Sequence, residues 1–252
     1  MYHFKVFSNV LFLIGFLFVV NCAFLNKEYS VAPVENRTAD GIYESALKKS
    51  SEKQYKDALT DLEEIDSLYP FSPVAIKARI MMSFLNYELR NYARSATYAE
   101  DYINLYPDGE DIDFAYYLRI MANYMQINDV ERDQSAAYKV SELLEEFIHL
   151  FPNSQYLAEV NLRLNMVNEH IAAKEFSVGK FYLQRGEYVA AIRRFSTILK
   201  RYKDTKYFPE SVYRTAEAYL SLGDKDAYSK YMSLLKECCA NSDWYTLSQD
   251  RL

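Results

Sequence analysis

YKDALTDLEEIDSLYP, residues 55–70, sets Tyr55, Ala58, Leu62 and Ile65 ahead of an aromatic–Pro pair, Tyr69-Pro70. The same arrangement returns down the chain. Tyr92, Ser95, Ala99, Tyr102 and Tyr106-Pro107 stand 37 positions further on, and Val140, Leu144, Phe147 and Phe151-Pro152 another 45. Tyr188, Ala191, Phe195, Ile198 and Tyr202-Lys203 make a fourth set, with Lys where Pro stood. Leu222-Gly223-Asp224, Tyr228, Met232 and Leu235 mark a fifth.

A unit of this length with these anchors is the spacing of tetratricopeptide repeats: helix A, a tight turn, helix B, then Pro near position 32 of about 34. The small residue near position 20 lets the two helices approach, and the aromatic four positions later fills the gap between repeats. Pro ends helix B because it has no N–H to continue the ladder. Ser72-Pro73 and Pro209 put Pro in a first helical turn, where no N–H partner is lost. Asn153 or Ser154, and Asp224, are expected N-caps. Gly186 and Gly223 are expected to close A helices in a left-handed conformation. The longer third and fourth periods call for extended helices or an insert, with residues 125–134 the irregular stretch. The expectation is an all-α, right-handed solenoid of five tetratricopeptide helix pairs over residues 41–240, followed by a C-terminal tail, 241–252. No single pair buries its own apolar face, so stacking must supply the core.

Composition agrees. Of 252 residues only six are Gly and six Pro, where average usage is roughly 7% and 5%. Sheet-rich folds need more turn residues than that. Twenty-four Tyr and fifteen Phe suit packing between helices. A net charge of −6 argues against general nucleic-acid binding, which needs a basic face.

The N-terminus reads differently. Residues 10–20, VLFLIGFLFVV, form an apolar run too short to cross a bilayer, after a segment with one Lys and no acid. The run ends at Asn21-Cys22, and a Cys in that place resembles the bacterial lipobox. Residues 1–21 are therefore expected to be a lipoprotein signal peptide, Cys22 the lipidated residue, and residues 22–40 a tether. Cys238 and Cys239 are adjacent, with Cα atoms closer than the usual range for a disulfide, and are expected not to bridge each other.

Motifs for chemistry are missing. The sequence holds no P-loop, dinucleotide glycine fingerprint, HExxH, GxSxG or CxxC. His149 and His170 fall on expected helices, and Glu142, Glu145 and Glu146 read as a solvated helix face. The expectation is a protein that is not an enzyme and needs neither metal nor cofactor beyond the lipid on Cys22. Charge is distributed unevenly. Residues 100–113 carry six acids and no base, whereas residues 174–206 carry nine bases and three acids. Like-signed surface on one part of a solenoid can steer and orient an oppositely charged partner.

Order along the chain adds a resemblance. Leader, Cys22 and tether are followed by GIYESAL, LYPFSP, YINLYP, DIDFAYYLR, RDQ, LFPNSQY and GEYVAAIRR. Together with residues 175–191, EFSVGKFYLQRGEYVAA, they resemble the outer-membrane assembly lipoproteins of the BamD/ComL family over nearly the whole chain. The resemblance implies a non-enzymatic scaffold in the β-barrel assembly (BAM) complex, lipid-anchored on the periplasmic face of the cell outer membrane. It implies C-terminal repeats that hold the periplasmic domain of the barrel subunit BamA, and possible contact with other BAM lipoproteins. It also implies N-terminal repeats that receive segments of unfolded outer-membrane proteins. Helix A residues of such repeats line a groove, which here gives Tyr43, Leu47, Phe84, Tyr87 and Glu88. Arg193 and Arg194, exposed on helix B of the fourth repeat, are the partner-binding candidates, and reversing the charge of Arg194 is expected to leave the solenoid folded. The alternative is a periplasmic tetratricopeptide adaptor for cell-wall or division enzymes. Such proteins usually lack the lipobox Cys and often carry a coiled coil, and no sustained heptads occur here.

Overall fold

The computed structural model of the protein describes residues 37–127 and 134–249. The expectations for the leader, for Cys22, for most of the tether and for Arg132-Asp133 lie outside these residues. Among the described residues there are eleven helices and no strand. They are α1 (Ala39–Ser51), α2 (Tyr55–Leu68), α3 (Pro73–Glu88), α4 (Tyr92–Leu105), α5 (Ile112–Tyr124), α6 (Ser135–Leu150), α7 (Leu157–Gln184), α8 (Tyr188–Arg201), α9 (Phe208–Ser221), α10 (Lys225–Cys239) and α11 (Asp243–Gln249). From α1 to α10 each helix packs on its predecessor and its successor, and among the A helices α3 also touches both α1 and α5. This is the tetratricopeptide helix-pair solenoid, five pairs in succession.

Local chemistry sets the boundaries. Each of the B helices α2, α4, α6 and α8 stops one residue before its aromatic, at Leu68, Leu105, Leu150 and Arg201. Ser72 caps α3 by accepting from the Ala75 N–H at 3.1 Å, with Pro73 in the first turn. Asp224 caps α10 in the same way, accepting from Ala227 N–H at 2.9 Å. The expected cap at Asn153 or Ser154 is displaced: the residue before α7 is Tyr156, whose N–H bonds to Ser154 Oγ at 3.2 Å, while the same hydroxyl ties two repeats together, as described below. The long fourth period is an extended helix, since α7 runs for 28 residues.

Four of the five A helices end alike. Gly186 and Gly223 sit at φ +75° and +81°, and the next residue's N–H bonds back to the last helical turn (Glu187 to Tyr182 O, Asp224 to Tyr219 O), the Schellman closure. The first two repeats make the identical turn at Lys53 (φ 60°) and Arg90 (φ 61°), residues that do not signal a left-handed conformation in sequence. A side chain there costs about 1–2 kcal/mol, partly offset by the extra unfolded freedom of glycine. Lys53→Gly and Arg90→Gly should therefore each stabilise by about 0.5–1 kcal/mol, read as a rise in the urea midpoint.

The core forms three patches of buried side chains: one around Ile42, Leu62 and Met82, one around Ile80, Tyr102 and Leu118, and a larger one from Ile120 through Phe147, Phe195 and Val212 to Leu235. Residues 241–252, expected to be a tail, include α11, whose Trp244 packs on Tyr213 with ring centroids 5.5 Å apart. The structure also departs from the expectation for Cys238 and Cys239, which it joins through their sulfur atoms. The usual Cα separation applies to cysteines from different segments, whereas neighbours can close an eight-membered ring through their shared peptide.

Candidate functional site

The A helices bring together an aromatic face. Phe84 and Tyr87 of α3 recur as Phe114 and Tyr117 of α5, the same F-x-x-Y spacing on consecutive A helices. The rings meet accordingly: Phe84 lies 6.5 Å from Phe114, and Phe114 stacks on Tyr156 at 5.6 Å. Tyr117 stacks on Tyr156 at 4.5 Å, with planes 17° apart. Tyr117 donates to Glu159 at 2.8 Å, and Arg163 donates to the other oxygen of that carboxylate at 2.9 Å. Arg163 and Tyr117 hold Glu159 below the usual carboxylate range, while burial, and then Glu159, push the Tyr117 hydroxyl up. At neutral pH this is an anionic acceptor fixed between a phenol and a guanidinium.

Of the residues expected to line a groove, Tyr43, Phe84 and Tyr87 are half-buried, and Leu47 and Glu88 are exposed. Tyr43 packs on the first core patch, and burial together with the nearby Asp111 raises its pKa. Tyr87 meets Tyr92 edge-on at 5.6 Å and lies within the electrostatic reach of Glu159 and Arg163. Phe114, Tyr117, Tyr156, Glu159 and Arg163 belong to the same face and were missed. The F-x-x-Y recurrence was the signal that could have found them.

The segment that carried the resemblance, Asp113 with Tyr117, Leu118 and Arg119, ties repeats together. Asp113 accepts from Ser154 Oγ at 2.7 Å, joining α5 to the loop before α7. Leu118 is buried in the second core patch. Arg119 reaches back to Glu100 of α4 and forward to Glu146 of α6.

Arg193 and Arg194 are both exposed on α8, as expected. They are not equivalent. Arg194 contacts both carboxylate oxygens of Glu175 at 3.3 Å, and Glu175 is buried on α7, where it also accepts from Tyr138 at 3.3 Å. Arg194 thus neutralises a buried acid, and reversing its charge would set two carboxylates against each other and weaken α7–α8 packing. The expectation is that Arg194→Glu leaves the solenoid folded; the contact with Glu175 adds that the change also costs stability at the α7–α8 seam. Among the described residues the Arg193 guanidinium makes no ion pair, so it is the better probe of a partner. No described helix is long and apolar enough to cross a membrane.

Comparison with known proteins matches residues 35–234 to the family model YfiO, described as outer membrane lipoprotein. An outer membrane protein assembly factor BamD of Rickettsia prowazekii (strain Madrid E) is 33% identical over 216 residues, covering 86% of this chain and 84% of the relative. The protein of the same name from Caulobacter vibrioides is 28% identical over 227 residues, covering 90% and 74%. Among solved structures, a thermophilic TPR protein of Thermus thermophilus is similar with a TM-score of 0.40 and 18% identity, covering 84% of this chain and 96% of that one.

Proposed function

Because the chain belongs to the YfiO family of outer membrane lipoproteins, whose relatives named BamD are outer membrane protein assembly factors, we propose that it is a non-enzymatic scaffold subunit of the β-barrel assembly complex. The family match over residues 35–234, which reaches into the fifth pair, carries this reading. In it, residues 1–21 are removed, Cys22 carries the lipid, residues 22–40 tether the body, and the solenoid of residues 41–240 stands on the periplasmic face of the outer membrane. No cofactor beyond that lipid takes part.

Two surfaces divide the work. The aromatic face from Tyr43 through Phe84 and Tyr87 to Tyr156 suits an extended, aromatic-rich segment of an unfolded barrel protein, with Leu47 and Glu88 at its exposed margin. The basic stretch at residues 174–206 suits an acidic periplasmic domain of the barrel subunit, BamA. Other lipoproteins of the complex are further partners.

Affinity purification from detergent-solubilised membranes, with mass spectrometry of what co-purifies, tests this reading. The barrel subunit should be the dominant partner; recovery of cell-wall or division enzymes in its place would overturn it. With the purified periplasmic domain, Arg193→Glu should slow association on the order of tenfold at low salt, because a rim charge acts mainly through steering. Equal association rates for parent and variant would move the docking site elsewhere.

A further inference from the structure

The Cys238–Cys239 pair has no part in the proposed scaffold role, yet its surroundings are specific. Cys238 is exposed, while Cys239 is half-buried against the large core patch. Both line a cleft of about 590 Å³ with Leu199, Lys203, Asp204 and Lys206. Two lysines and one aspartate line the same cleft, and exchange with a disulfide proceeds through the thiolate. The sulfurs are joined at the last residues of α10, where the backbone leaves the helix. The Cys239 carbonyl there accepts from both the N–H (2.9 Å) and the hydroxyl (2.7 Å) of Ser242, the residue that precedes α11. Two residues on, Trp244 packs against Tyr213, with the Arg214 guanidinium 4.9 Å from its ring centroid.

We infer that Cys238 and Cys239 are a reversible thiol–disulfide pair whose redox state sets the docking of α11. Oxidation consumes an exchangeable disulfide. One thiolate attacks it to form a mixed disulfide and releases one thiol. The neighbouring sulfur then displaces the second thiol and closes the eight-membered ring. Two electrons and two protons pass to the oxidant, which leaves as a pair of thiols. The ring fixes the last turn of α10 and with it the Cys239 carbonyl that Ser242 grips. Opening the ring frees that turn to continue as helix, and the Ser242 contacts are lost. α10 resists this weakly, for Leu235 is its one fully buried side chain. The consequence reaches the neighbouring cleft of about 430 Å³, because Ser248 of α11 walls it together with Tyr213 and Tyr228. The inference stands on this geometry; the periplasmic location only makes the oxidised form the resident one.

Trp244 is the single Trp of the chain, so its fluorescence reports α11 alone. The full chain is treated with oxidised glutathione, then with dithiothreitol, and followed by emission and by mass spectrometry of the tryptic fragment 237–251 after alkylation. The oxidised fragment should be unalkylated and lighter by two hydrogens, and reduction should restore alkylation at both cysteines. Trp244 emission should move to the red on reduction and return on reoxidation. Cys238→Ser, on the exposed side, should lose the response while keeping parental helix content. Alkylation of both cysteines after oxidation, a fragment cross-linked between chains, an emission maximum indifferent to redox state, or a Cys238→Ser variant that still responds would each overturn the inference.

Discussion

Phe195→Ala is expected to lower stability by about 3–5 kcal/mol, as for other fully buried aromatics. Phe195 is fully buried at the α7–α8 contact, 5.9 Å from the Phe176 ring. Its place exists because α7 has a glycine opposite: a Cβ at Gly179 would lie 2.5 Å from the Phe195 ring. Gly179→Ala therefore combines overpacking of about 1–3 kcal/mol with a helix-propensity gain of about 1 kcal/mol. The double variant Gly179→Ala/Phe195→Leu should lose less than the sum of the single changes, since the smaller side chain makes the room the methyl needs. Ala191, also fully buried beside this contact, should tolerate Phe no better, at about 1–3 kcal/mol. Urea unfolding followed by circular dichroism measures all five variants, the single Phe195→Leu included. Repeats contact only their neighbours, so amide exchange should show the loss concentrated in the fourth and fifth pairs.

Arg119→Met comes next, at about 2–3 kcal/mol, or a fall of roughly 5–10 °C in Tm. Arg119 is 8% exposed and bonds Glu100 at 2.9 Å and Glu146 at 2.8 Å, its guanidinium 4.5 Å from the Tyr116 ring centroid. Two charge-assisted bonds are lost, but both carboxylates are nearly half exposed and rehydrate, which keeps the loss below the full value. Met retains much of the apolar stem, so the change isolates the ionic clamp. Glu100→Gln should cost only about 1 kcal/mol, because Glu146 still holds the guanidinium. If Arg119→Met melts with the parent, the clamp contributes no net stability.

The repeat frame was legible because its signals are local. An aromatic–Pro pair halts a helix wherever it stands, and Gly186 and Gly223 carry the left-handed turns that end two A helices. What sequence hid depended on tertiary context. Lys53 and Arg90 adopt the same turn because stacking repeats impose it on residues that would avoid it alone. Ser154 has the chemistry of an N-cap and accepts from the Tyr156 N–H at 3.2 Å, but the helix starts two residues later than expected and the Ser154 hydroxyl donates to Asp113, 41 positions away. The seven residues of α11 are too few to show a helical period, and Trp244 finds its place only against Tyr213 and Arg214. The candidate faces were half legible. The A-helix register located Phe84 and Tyr87, but their continuation through Tyr117 to Tyr156 crosses a gap that no single period spans. Arg194 looked like a free surface cation until α7 set the buried Glu175 beneath it.

A role in outer-membrane assembly is tested most directly by depleting the protein from its own cell and measuring how much of a resident β-barrel protein runs as the folded, heat-modifiable form. The folded fraction should fall as the protein is exhausted and recover when the parent chain is resupplied. An unchanged folded fraction after depletion would contradict the assembly role.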